Sequence, residues 1–191
     1  MSQPAEIILL RRIRAWTLAF IFGLVLSGAT AIPLQTELDW LVRATGADHI
    51  VGGQNSVQEP AWSVWLGRIH SALKETTNRS PFLYYGTDWL AFGHFVIAIA
   101  FIGALIDPIR NKWLFHFGII ACVLVIPYAL VFGTVRGIPL WWRFVDCSFG
   151  LFGLIPLWLC CRWVRKLEQV AGAGSSMESQ PSLCSRSYAS R

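Results

Sequence analysis

A chain of 191 residues with a formal net charge of +5 has room for one or two domains. Its composition, 54% hydrophobic and 14% charged with ten Trp, excludes an ordinary water-soluble domain. Its basic residues are not interleaved with aromatics on one surface, which excludes nucleic acid as a partner.

Residues 1–14 carry Arg11, Arg12 and Arg14 and read as a cytoplasmic N-terminus. Residues 15–36 contain no Asp, Glu, Lys or Arg, and at ~1.5 Å per residue they can cross ~30 Å of hydrocarbon. They are the first predicted transmembrane helix. Ala15, Ala19, Gly23, Ser27 and Ala31 recur every fourth residue, a line of small side chains suited to close helix packing in lipid. The stretch also fits a secretory signal, with a basic start and Ala29-Thr30-Ala31 as a cleavage site. The small-residue line favours a retained helix over a cleaved one.

Residues 37–88 are read as an extracytoplasmic loop with one or two short amphipathic helices. Thr36, followed three residues later by Asp39, resembles a capping box opening the first. The second is predicted over 61–76. There Trp62, Trp65, Leu66, Ile69 and Leu73 follow helical spacing, and Ser63, Arg68, Ser71, Lys74 and Glu75 fall mostly on other faces. Such a helix would lie on the outer membrane surface or cap the bundle. Between the two, residues 46–58, including His49, read as an external loop.

Three more transmembrane helices follow, at 89–107, 113–135 and 139–163. A cytoplasmic loop at 108–112 and an outer turn at 136–138 connect them. Pro127 and Pro156 lie inside the last two and should kink them, freeing the carbonyls of Val123 and Phe152. Residues 164–191 read as a cytoplasmic tail, poor in large apolar residues and disordered after about 170. The fold expected is therefore all-α, a polytopic four-helix membrane protein. Lys and Arg cluster before the first span, between the second and third, and after the fourth, which puts both termini in the cytoplasm.

Chemistry-bearing residues are few. The five cysteines form no C-x-x-C and no pair on the outer side, so they read as small apolar filler. Arg143 and Asp146 interrupt the start of the fourth span at i and i+3, where they can pair. Gly150, Gly153 and Leu157 continue their face. His94 and Tyr128 fall at similar depth on the second and third spans. Together His94, Tyr128, Arg143 and Asp146 form a predicted polar cluster near the outer face. One reading is a structural clasp that fixes helix register. The other is a pocket rimmed by Tyr84, Tyr85, Asp88 and Arg136. No metal set and no catalytic residue is predicted. No cofactor is expected, the alternative being haem through His94; His116, near the opposite boundary, cannot share one iron with it.

The strings "PFLYYGTDWLAFGHFVIAIAFIGALIDPIRNKW" and "IACVLVIPYALVFGTVRGIPLWWRFVDCSFG", with "LRRIR" and "SGATAIPLQTEL" around span one, resemble a group of small bacterial inner-membrane proteins with no assigned activity. The resemblance covers residues 9–168, and implies a retained first helix and a bacterial host. It carries over no catalytic residue. The expectation is a non-enzymatic protein that binds or organises a partner, with the bilayer and a membrane protein or second copy as the partners considered. A membrane enzyme, or a haem- or quinone-linked redox carrier using His94, Arg143 and Asp146, is the competing class. A small oligomeric transporter is the third.

Overall fold

The computed structural model describes residues 3–46 and 60–178. His49 and most of the predicted 46–58 loop lie outside them, as do Cys184 and the chain after 178. In order come α1 (Gln3–Ala31), α2 (Leu34–Thr45), α3 (Ala61–Arg79), a 3-10 turn (Pro81–Tyr84), α4 (Tyr85–Ile106), α5 (Lys112–Val135) and α6 (Leu140–Glu178). Among the described residues the secondary structure is entirely helical. Four stretches, Ala5–Ala31, Pro81–Ile106, Lys112–Val135 and Leu140–Gln169, are long and apolar enough to cross a membrane. This is the make-up of a multi-pass membrane protein.

Several boundaries differ from those read in the sequence. α3 continues three residues past 76, to Arg79. α6 does not stop at 163: it runs on to Glu178, so residues 170–178, expected to be disordered, are helical. Leu167 on this extension is 2% exposed, so burial carries the helix beyond the apolar stretch. Pro127 and Pro156 both sit inside unbroken helices.

The chain divides into two units, one built from the residues up to Ile21 and from Ile99 onward, the other from Phe22–Ala98. In the first, α5 and α6 form an antiparallel hairpin. Its pairings step in opposite directions along the two helices: Thr134 with Arg143, Ile126 with Cys147, Gly118 with Leu157, Lys112 with Glu168. Glycine lets them approach. A Cβ on Gly150 would stand 2.5 Å from the Cys122 carbonyl oxygen, and one on Gly118 would stand 2.7 Å from a Leu157 methyl. The first turns of α1 pack here through Ile13 and Thr17, both wholly buried, and the Cys160 thiol lies 3.7 Å from the Ile13 carbonyl oxygen. Cys147, Cys160 and Cys161 are buried, as expected of small filler. Phe20, Phe101 and Phe115 complete the core, with ring centroids 4.8 Å and 6.3 Å apart.

The predicted packing line on α1 is not the one used in this unit. Ala15 and Ala19 are exposed, and the buried positions are Ile13 and Thr17, about half a turn away. Thr17 is accommodated because its hydroxyl donates to the Ile13 carbonyl at 2.8 Å.

In the unit Phe22–Ala98, α2 and α3 pack on each other through Leu38, Val42 and Leu66, flanked by Ile69 and Leu73. α2 begins at Leu34, directly after Pro33, so Thr36 lies within the helix and caps nothing. Gly46, at φ 68°, ends it in the left-handed conformation that glycine tolerates best. The buried face of α3 is also rotated from expectation. Ser63 is 3% exposed and Trp62 is 45% exposed, the reverse of the predicted assignment. The Ser63 hydroxyl is satisfied locally, donating to the Pro60 carbonyl at 2.8 Å. In the same unit Gly28 is buried, and a Cβ there would fall 3.0 Å from the Ala91 carbonyl oxygen.

Candidate functional site

The predicted polar cluster resolves into residues with separate local roles. Arg143 is the most engaged of them. α5 ends in a Schellman motif: Ile138 N–H donates to the Gly133 carbonyl at 2.8 Å, Gly137 N–H to that of Thr134 at 3.1 Å, and Gly137 takes φ 67°. Pro139 then starts α6, and one turn later Arg143 reaches back over the connection. Its Nε donates to the Ile138 carbonyl at 2.8 Å, and a terminal nitrogen donates to Thr134 Oγ1 at 2.6 Å. The stem lies on Gly133, where a Cβ would meet Arg143 Cδ at 2.7 Å. Arg143 is thus a strap across the α5–α6 turn, holding a carbonyl the turn leaves unpaired.

This replaces the expected Arg143–Asp146 pair. Among the described residues neither an ion pair nor a hydrogen bond joins them, and none reaches the Asp146 carboxylate, which is half-buried. Tyr128, 66% exposed, stacks against Phe132 with ring centroids 4.4 Å apart. His94 belongs to the other unit. Its Nδ1 lies 2.8 Å from the Leu90 carbonyl oxygen; because a carbonyl only accepts, this nitrogen carries the proton. His116 makes the same contact with Lys112 at 3.0 Å.

The proposed rim also divides. Tyr85 and Asp88 are exposed, as is Arg136, and Tyr85 packs edge-on against Trp89. Tyr84 turns inward instead. Its hydroxyl donates to the Leu73 carbonyl at 2.9 Å and accepts from Thr77, which lies 3.0 Å away. Thr77 Oγ1 also stands 2.7 Å from Gln35 Oε1. This chain of contacts ties the 3-10 turn to α3 and α3 to α2.

A second polar contact joins α2 and α3: His70 Nε2 and Asp39 Oδ1 are 2.5 Å apart, and the histidine side chain is 13% exposed. The sequence suggests Asp39 only for a capping box and gives no sign of its link to His70, 31 residues on. Both contacts run along one side of the Leu38–Val42–Leu66 seam. The hairpin therefore has an apolar interior and polar fastenings, yet its outside carries large apolar side chains: Trp40 is 75% exposed and Trp62 45%.

Among the described residues no group of three or more His, Cys, Asp or Glu is placed to hold a metal ion. Searches against protein-family models, curated proteins and solved structures find no match to this chain.

Proposed function

We propose that this is a non-enzymatic protein of a bacterial inner membrane, with both termini cytoplasmic, which binds or organises another membrane component through the α2–α3 hairpin on its outer face. The observation that carries this reading is the combination of a fastened hairpin with exposed aromatics. Free indole surface on a helix pair with its own core suits docking at the interface or on a partner, where one side of the ring is apolar and the other wet. The His70–Asp39 and Thr77–Gln35 contacts hold that surface in one arrangement, so little ordering entropy remains to be lost on binding. Two of the predicted residues contribute to architecture in this scheme: Arg143 of the cluster fastens a turn, and Tyr84 of the rim ties the 3-10 turn to α3.

The test is site-specific photocrosslinking in intact membranes, with the probe in place of Trp40 and, as a reference, in place of the span residue Phe152. The expected result is a discrete protein adduct from Trp40 alone, lost when Asp39→Asn loosens the hairpin. Identical lipid-only labelling from the two positions would overturn the proposal.

A further inference from the structure

Among the described residues, no other helix covers one face of α6. Taking Trp158 as origin at 100° per residue, Leu154, Ile155, Arg162, Arg165 and Lys166 all fall within about 80° of it. The buried residues Leu157, Cys160, Val164 and Leu167 lie about 100° or more from it, and buried Cys161, about 60° away on the side opposite Lys166, marks the edge of the open face. On the open face Leu154, Ile155, Trp158 and Leu159 line a shallow, almost wholly apolar groove. The groove leads straight to the charges. The guanidinium of Arg162 sits over the Trp158 ring, 5.0 Å from its centroid.

Two further features shape the electrostatics of this face. Residues 147–161 contain no charge, so Arg162, Arg165 and Lys166 are the first charges met along the helix from the groove. The only acid between Asp146 and Glu178 is Glu168, and Lys112 holds it at 2.7 Å. The three cations are exposed, on the groove's side of the helix. Stacking on Trp158 restricts the Arg162 guanidinium and leaves its in-plane N–H groups able to donate.

We propose that this face is a binding site for an anionic membrane phospholipid. An acyl chain lies along Leu154, Ile155, Trp158 and Leu159, and the headgroup phosphate is held by Arg162 with Arg165 and Lys166. A phosphodiester matches the planar guanidinium fork, and an acyl chain matches an apolar groove that opens sideways. A soluble phosphate would use the cations and leave the groove without a role, so the pairing of groove and charge selects a lipid. The inference depends on the membrane-spanning character of α6 and is independent of the role proposed for the α2–α3 hairpin.

The test uses the full chain in a neutral detergent, with phosphatidylglycerol and phosphatidylcholine of identical acyl chains offered together and adducts counted by native mass spectrometry. Phosphatidylglycerol should be retained several-fold over phosphatidylcholine. Arg162→Gln should lower that preference about five-fold, the effect of one basic charge near a lipid surface, and the triple variant with Arg165→Gln and Lys166→Gln should abolish it. All three side chains are exposed, so thermal midpoints should be unchanged. Arg11→Gln with Arg12→Gln, an exposed basic pair on α1, should leave the preference within about two-fold, as expected of charges outside the site. Equal retention of the two lipids would overturn the site. So would equal loss from the α1 pair, which would mean a diffuse field, or displacement of the lipid by millimolar inorganic phosphate.

Discussion

Two helical hairpins in this chain are held together by opposite means. α5–α6 is closed by the absence of side chains: Gly118, Gly133 and Gly150 let a leucine, an arginine stem and a carbonyl come in close. α2–α3 is closed by their presence, with Leu38, Val42 and Leu66 interleaved and polar contacts along one side. The difference fits the proposed placement of α5–α6 in lipid and of α2–α3 outside it. Lipid is as apolar as leucine, so burying leucine there gains little, and close backbone packing must hold helices together. In water an apolar seam is driven together by the hydrophobic effect, and polar fastenings then set its register. The exposed surfaces agree. Within their spans α5 and α6 expose Ile120, Leu124, Phe149 and Phe152, whereas α3 exposes Arg68, Lys74 and Glu75 beside Trp62 and Val64.

Four substitutions test this contrast, in descending order of effect. Gly150→Leu should be the most damaging, destabilising the chain in detergent by about 3 kcal/mol or more, because backbone occupies the space its side chain would need. The readout is the thermal midpoint, and a tolerated leucine would mean that α5 and α6 are not in close contact. Leu66→Ala should cost about 2–3 kcal/mol locally. Hydrogen exchange should rise across α2 and α3 and stay unchanged in α5 and α6. Arg143→Met keeps most of the stem and removes both donated bonds, so a loss of about 1–2 kcal/mol is expected. Asp146→Asn should shift stability by less than about 0.5 kcal/mol, since nothing among the described residues bonds to that carboxylate. If instead Arg143→Met and Asp146→Asn cost the same and the double variant costs no more, the two residues pair after all.

The spans were legible because a long run without charge has few alternatives to a helix in lipid, and four such runs mark four helices. Which side of each helix is buried was not legible to the same degree. On α1 the regular spacing of Ala15, Ala19 and Gly23 suggested a packed line, yet Ile13 and Thr17 are the buried residues. In lipid both faces of a helix are apolar, so periodicity loses its power to separate inside from outside. On α3, Trp62 and Ser63 exchanged places for a related reason. A serine that bonds its own turn can be buried at little cost, and an indole can stay outside.

Arg143 shows what was missed in the candidate site. Pairing it with Asp146 rested on i, i+3 proximity, which neglects a stronger claim on its donors. The string "TVRGIP" contains the needed signal: Gly137 followed by a proline two residues later marks a Schellman end with an unpaired carbonyl beside it. An arginine one turn into the next helix is within reach of that carbonyl. His70 and Asp39 could not have been joined this way, because their contact spans 31 residues and depends on how α2 meets α3.

The proposed topology puts the α2–α3 hairpin and the end of α6 on opposite sides of a membrane crossed four times. Single cysteines at Ser71 and Gln169, both exposed, in a chain stripped of its native cysteines, test it by labelling intact cells with an impermeant thiol reagent. Labelling at Ser71 in intact cells, with labelling at Gln169 only after the membrane is opened, is the predicted result. Labelling of both positions from the same side would contradict it.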